Sequence, residues 1–235
     1  ELVTPSGQAS ELIGPSGQVL WEADVIPDSG MLRWLFEESL EDSWNNNDLT
    51  GHATGYSSTT GVAEGNYARD YDGIDDYDDF DAVLSSPDQS LSIIASVYPE
   101  ALSGSNRQII KWGDAPPHFD LGYIDNNSSW KWGFFDGSTF HGQLSGATTT
   151  PTGEISHLCG TFNASTGDWT FYRNGSEVWS VTDDVDVAHN GSVGIVGATN
   201  NGSNDNWDGY IDGIDFYNKE LTATEVSNHY STGNI

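Results

Sequence analysis

Asn206-Trp-Asp-Gly-Tyr-Ile-Asp-Gly-Ile-Asp-Phe-Tyr-Asn-Lys-Glu-Leu221 sets a dense apolar run against Asp208, Asp212 and Asp215 near the C-terminal end of the sequence. Ile211, Ile214, Phe216 and Tyr217 are too dense for a loop and predict a strand over about 209–217. Asp212 and Asp215 interrupt the apolar run, so no single face is uniformly apolar. An acidic residue inside such a strand calls for a cation or hydrogen-bond donors beside it. Downstream, Thr222 with Glu225 three positions later has capping-box spacing and predicts a short helix over Thr222–His229.

Working back from this end, alternating and apolar runs predict strands near 90–98, 106–112, 118–124, 130–135, 155–163, 168–174, 176–181 and 192–198. Asp136-Gly137 and Asn174-Gly175 read as type I′ hairpin turns. Met31-Leu-Arg-Trp-Leu-Phe36 has strand-like density, and 51–66 reads as a strand–loop–strand rim. The expectation is an all-β chain built as two packed antiparallel sheets.

Several of these segments carry a family resemblance in matching order. Trp207 to Leu221 resembles the last strand of laminin G-like, concanavalin A-like jelly-roll domains, which read roughly F-x-G-x-I-D-D-V-R-I-Y-N-x-x-L. Arg69-Asp-Tyr-Asp-Gly-Ile-Asp-Asp76-Tyr77 resembles their F-D-G-x-D-D-Y strand, and Gln89 to Pro99 resembles S-F-T-I-S-A-W-V-Y-P. His157-Leu-Cys-Gly-Thr-Phe162 followed by Trp169-Thr-Phe-Tyr-Arg-Asn-Gly175 is similar to H-V-A-G-T-Y and L-Y-V-N-G. The tryptophan usual just before H-V-A-G-T-Y is absent, with Ile155-Ser156 in its place. The resemblance implies a jelly-roll sandwich over 31–235, with residues 1–30 as an N-terminal extended arm and a short C-terminal helix.

The resemblance also implies a metal site. Glu37 to Asp48 packs acids and amides like the family's D-S-S-G-N-x-N-D loop, which lies near the last strand. Asp42, Asn45, Asn47 and Asp212 are therefore expected around one Ca2+, whose oxygen ligands such a loop supplies. The competing reading makes Asn45 to Asn47 turn formers and Asp42 a cap on a backbone amide. A second acidic run, Asp70, Asp72, Asp75, Asp76, Asp78, Asp79 and Asp81, reads as a solvated face, with a metal site as its alternative.

Seven Lys plus Arg stand against 36 Asp plus Glu, a formal charge of −29 in 235 residues. In dilute buffer such a surface repels itself, and molar salt cuts the screening length to about 3 Å. With Lys reduced to Lys111, Lys131 and Lys219 and the acids scattered, the chain reads as made for hypersaline surroundings. Nucleic acid and anionic membrane are poor partners for it. Hydrophobic content of 36% with nine Trp, ten Tyr and nine Phe is enough for one core of about 200 residues.

The lone Cys159 is expected to be a small core residue and excludes a disulfide framework. Asn-x-Ser sequons at Asn126, Asn127, Asn163, Asn174, Asn190 and Asn201 and the absence of an apolar run near 18 residues point to a processed exterior protein without membrane insertion. It is expected at a cell surface or virion surface.

Residues 1–20 repeat with a period of ten, Glu-Leu-Val-Thr-Pro-Ser-Gly-Gln and Glu-Leu-Ile-Gly-Pro-Ser-Gly-Gln, each copy a turn without a core of its own. Val19, Trp21, Ala23 and Val25 alternate as a one-faced strand. Either it adds to an edge of its own sheet or it is donated to a neighbouring copy, which would make a homo-oligomer or polymer.

For binding chemistry, Trp112, Trp130, Trp132 and Trp207 flank Asn, Asp and Gly loops, as residues that stack on sugars do, and core packing is the alternative. Catalysis finds no support, since Glu22-Ala-Asp24 lacks the second Glu of an E-x-D-x-x-E pair and no His sits in an H-E-x-x-H context. The chain reads as a non-catalytic, calcium-dependent adhesion module that recognises a cell-surface glycan or receptor. The alternative is a structural subunit of an extracellular filament or virion assembled through the arm.

Overall fold

The computed structural model describes residues 11–13, 19–22, 30–44, 47–58, 60–61, 63, 65–81, 90–113, 116–125, 128–144, 152–183, 185, 187 and 193–232. Two antiparallel sheets pack face to face as a jelly-roll sandwich. One sheet has seven strands in the order β12 (Phe140–Leu144), β11 (Ser129–Phe135), β10 (His118–Ile124), β9 (Arg107–Trp112), β16 (Val193–Val196), β7 (Tyr77–Asp81) and β4 (Thr50–His52). The other runs β15 (Ser176–Thr182), β14 (Asp168–Arg173), β13 (Ser156–Asn163), β8 (Leu91–Pro99), β17 (Asp208–Tyr217), β6 (Ala68–Asp72) and β5 (Gly55–Ser57). An eighth strand, β3 (Gly30–Trp34), pairs with the second half of β17, beyond the stretch that β6 takes.

β17 explains its own broken pattern. The ladder with β8 shifts register between Asp212 and Ile214, and Gly213 between them has φ of 71°, a left-handed conformation that glycine adopts without strain. The bulge absorbs one residue, so Ile211, Ile214 and Phe216 all enter the core between the sheets. Asp212, Asp215 and Tyr217 consequently share the outer face. There Tyr217 joins a second apolar cluster with Ile94, Cys159, Tyr172, Leu221 and Val226, which seats helix α1 (Ala223–Thr232) against the sheet.

The helix starts where its capping box predicts. Glu225 N donates to Thr222 Oγ1 at 3.2 Å, and Thr222 N donates back to Glu225 Oε2 at 2.7 Å. The Asn174-Gly175 turn is the two-residue loop its sequence predicts, with φ of 50° and 71°. Asp136-Gly137 differs: β11 and β12 are joined by four residues, closed by Ser138 and Thr139 amides donating to Asp136 Oδ1. An Asx-type bond thus substitutes for the tight primed turn.

Cations are turned inward. Among the described residues Arg33 pairs with Asp215, Arg69 with Asp78, Arg107 with Asp208, Lys131 with Asp120 and Lys219 with Glu225.

The arm differs from expectation. Strand β2 (Val19–Glu22) pairs antiparallel with β1 (Glu11–Ile13), the opening of the second decapeptide copy, as a two-stranded sheet of its own. The copy's first residues are strand because the hairpin satisfies their backbone groups. Ala23 and Val25 lie outside the described residues.

Candidate functional site

The outer face of the eight-stranded sheet carries an open cavity of about 260 Å³ beside α1. Its floor is cross-strand: Ser96 on β8 is the register partner of both His157 on β13 and Asp212 on β17. His229 and Tyr230 close one side from α1, and Asn174 and Ile155 close another. Asn174 Oδ1 accepts from the His157 amide at 3.0 Å, tying the β14–β15 turn to the floor. Gly175 is required there, since an added Cβ would press on the Tyr230 ring at 3.0 Å.

Beneath the floor runs a buried relay. His157 Nε2 lies 3.0 Å from His229 Nδ1, and His229 Nε2 lies 3.0 Å from Asp215 Oδ2. Arg33 Nε sits 3.4 Å from Asp215 Oδ1, and Tyr217 OH donates to Asp215 Oδ2 at 3.4 Å. Burial and the neighbouring His229 push the His157 imidazole down to about 3, so it is neutral at neutral pH. His157 Nδ1 is buried and has no hydrogen-bond partner. Burial likewise raises the Cys159 thiol far above its ordinary range, leaving an inert core residue.

Three large hydrophobic residues are exposed among those described: Ile74 at 71%, Ile155 at 40% and Tyr230 at 48%. Two of them, Ile155 and Tyr230, form the lip of this one cavity.

A second locus lies in the β6–β7 loop, where Asp72, Asp75 and Asp76 bring a carboxylate oxygen each within 4.8 Å of one another. The loop could hold a metal ion. Burial, then the charges of Asp72, Asp75 and Asp70, raise the Asp76 carboxyl above its ordinary value, a repulsion that a cation would relieve. Asn206 donates its side-chain amide to Ile74 O within the same loop. Its Oδ1 is buried and unpartnered, and the residue is 8% exposed. Three carboxylates form a hard oxygen donor set that fits a divalent cation such as calcium.

Several residues singled out from sequence lie elsewhere. Asp42 Oδ1 accepts from the amides of Arg33 and Trp44, both at 3.0 Å, and Oδ2 from Asn47 N at 3.4 Å, so it caps its own loop. Asp42 also bridges Trp34, which faces the core, whereas Asp212 faces outward and accepts from Ala63 N. Residues directly opposite on paired strands share a face, so Asp42 lies with Trp34 while Asp212 stands on the outer face. Asn47 donates to Asp81 O at 3.0 Å and accepts from the Trp34 indole at 3.0 Å, and Asn45 lies outside the described residues.

Trp112, Trp130, Trp132 and Trp207 are no more than 1% exposed and cannot stack on a sugar. Their rings fill the space between the sheets, where large aromatics bury the most apolar area. The exposed aromatic that sequence reading missed is Tyr230, whose helix position gave no sign of a cavity below it.

Of the sequons, Asn163 spends Nδ2 on Glu220 Oε2 at 2.5 Å, Asn174 is in the cavity wall, and Asn201 is an exposed turn residue with φ of 54°. Asn126, Asn127 and Asn190 lie outside the described residues.

Residues 72–227 match the family model described as the concanavalin A-like lectin/glucanases superfamily. The chain belongs to that superfamily. Among solved structures, it is similar to domain 4 of AbnA, a GH43 extracellular arabinanase from Geobacillus stearothermophilus, in complex with arabinotriose. That match has 20% identity and a TM-score of 0.66 and covers 85% of this chain and 97% of that one. The binding domain of botulinum neurotoxin serotype D/C VPI 5993 matches at 13% identity and a TM-score of 0.68, over 88% of this chain and 53% of that one. Trypanosoma rangeli sialidase matches at 13% identity and a TM-score of 0.66, over 97% of this chain and 36% of that one. At these identities the likeness is one of fold. No match was found among curated proteins. No helix among the described residues is long and apolar enough to cross a membrane.

Proposed function

We propose that this chain is a non-catalytic carbohydrate- or receptor-recognition module, displayed at a cell or virion surface in concentrated salt and carrying calcium in its Asp72–Asp76 loop. The observation that carries the reading is the cavity beside α1, where Tyr230 and Ile155 form an exposed apolar lip over a polar floor of Ser96, His157 and Asn174. Sugar sites pair such surfaces, one apolar for a ring face and one polar for hydroxyls. The likeness to an arabinanase domain solved with arabinotriose, and to a toxin's binding domain, supports the same reading. A glycan array probed in molar salt tests it, with Tyr230→Ala as the control. Binding that Tyr230→Ala abolishes supports the module, and an array without any binder sinks it.

A second reading concerns assembly. The hairpin of β1 and β2 forms a sheet separate from the two of the sandwich, which favours an arm that joins copies of this chain into an oligomer. Light scattering in molar salt decides it, since a monomer of the whole chain ends the assembly reading.

A further inference from the structure

We propose that Asn174 carries an N-linked sugar and that this sugar stands over the cavity beside α1, so that glycosylation of one asparagine governs what the cavity can bind. This rests on the recognition reading above and adds to it a modification that regulates access to the same site.

Asn174-Gly175-Ser176 is one of the six sequons, and among the described residues it is the one whose asparagine lines the cavity. The turn holds that side chain in place. The Asn174 amide donates to His157 O at 2.8 Å, and Oδ1 accepts from the His157 amide at 3.0 Å. Nδ2 is the side-chain atom these bonds leave over. The residue is only part-buried, and Nδ2 does not belong to the sequestered polar atoms that lack a partner. N-glycosylation spends that atom alone: a bond forms from Nδ2 to C1 of the first sugar, the bond from C1 to the phosphate of the activated donor breaks, and Nδ2 gives up one proton. Oδ1 remains an amide acceptor, so the tie to His157 survives the modification. Asn163 offers the contrast. Its Nδ2 donates to Glu220 Oε2 at 2.5 Å and its Oδ1 accepts from the amides of Ser165 and Thr166, so a sugar there would break a bond that the fold uses.

The surroundings of Asn174 suit an attached sugar. Gly175 comes so close to Tyr230 that an added Cβ would lie 3.0 Å from its ring, which puts the aromatic beside the sequon. Tyr230 is 48% exposed and shares the cavity lip with Ile155. A first sugar on Asn174 is thus tethered next to an open aromatic face, the surface on which a sugar ring packs. Tethering by a short link gives that ring an effective concentration on the order of millimolar. A free sugar that binds no better than the tethered one has to exceed that concentration to displace it, so the modified chain keeps the cavity covered against weak ligands.

The test compares the whole chain, exported from a halophilic host that N-glycosylates its secreted proteins, with Ser176→Ala from the same host. Ser176 is exposed and lies outside the cavity lining, so this change removes the sequon and leaves the wall intact. Peptide mapping by mass spectrometry reads the sugar on Asn174. Nitration of Tyr230 in molar salt, mapped the same way, reads the cover on the cavity. The expected result is a glycosylated Asn174 in the wild type, an unmodified one in the variant, and a loss of Tyr230 nitration that Ser176→Ala restores. An unmodified Asn174 in the wild type overturns the inference. So does a glycosylated Asn174 beside a Tyr230 that nitrates as fast as in the variant. Neither readout needs a ligand, so the two readings fail separately: a covered Tyr230 together with a glycan array that finds no binder for Ser176→Ala removes the recognition reading alone. Array binding that is stronger for Ser176→Ala than for the wild type supports the control of access, and equal binding by the two overturns it.

Discussion

Trp132 of the seven-stranded sheet donates its indole N–H to Thr161 O of the eight-stranded sheet at 2.9 Å, a hydrogen bond that crosses the core. It is possible because Gly160 leaves room: a Cβ at that position would fall inside the Trp132 ring. Gly160→Ala should therefore lower stability by roughly 1–3 kcal/mol through overpacking, measured by urea melts in molar salt. An unchanged midpoint would mean that the two sheets are not held at this separation.

Asp78 and Arg69 make a paired fork inside the sandwich, with Arg69 Nε at 3.0 Å and Nη2 at 2.6 Å from the two carboxylate oxygens, and Tyr71 OH adding a third donor at 2.6 Å. Asp78→Ala leaves a buried guanidinium without its partner and should cost about 3–5 kcal/mol. Removing both charges together, as Arg69→Met with Asp78→Leu, should recover most of that loss. If the single and double variants melt alike, burial of the pair is not what governs the cost.

Calcium is testable at the β6–β7 loop. Chelation should lower the melting temperature, and at about 100 times its Kd the ion contributes roughly 2.7 kcal/mol. Asp76→Asn should melt at the chelated wild-type temperature with or without calcium. Identical wild-type melts in EDTA and in calcium would remove the ion from the loop.

His157 makes stability depend on pH in a defined direction. Its folded value, about 3, lies below its ordinary 6.5, so the unfolded chain binds the extra proton first. This contribution is complete above pH 6.5 and is lost as pH falls from there toward 3. Replacing His157 with Gln should flatten the stability profile across that window. An imidazole seen by NMR to titrate near 6.5 in the folded chain would refute the burial on which the relay depends.

Salt should matter throughout. Thirty-six acids stand against seven Lys plus Arg, so most carboxylates have no cation of the chain to screen them. At about 0.1 M salt the screening length grows to about 10 Å, and the melting temperature should fall steeply relative to molar salt. A melt insensitive to salt would assign the acidity another purpose.

Strand-level structure was legible because periodicity and turn chemistry are local. Asn174-Gly175 and the Thr222 to Glu225 box each state their geometry in a few residues. The site was less legible, because it depends on which residues meet across strands. The run from Asp70 to Asp81 looked like a solvated face, yet Asp78 turns inward to Arg69 while Asp72, Asp75 and Asp76 converge in a loop that Asn206, more than a hundred residues away, ties through Ile74 O. His157 and His229 sit in no metal or nucleophile motif, and their 3.0 Å contact exists only once α1 folds back onto β13. The tryptophans misled for a physical reason: Gly and Asn beside an aromatic mark a turn at the end of a core strand as readily as a sugar platform.

The bulge at Gly213 has an outcome for how this strand tolerates change in length. Without it, alternation would carry Asp215 inward and Phe216 outward, placing an unshielded carboxylate among Trp34, Phe80 and Trp112. Deleting this one glycine would leave Ile214 and Phe216 inward in an unbroken ladder, because it is the residue the bulge absorbs. Inserting one more residue beside it would instead turn the last stretch of the strand inside out. Such an insertion would also break the ladder with β3 and strip both the relay and the helix seat from the outer face, although no side chain of core or cavity had been altered.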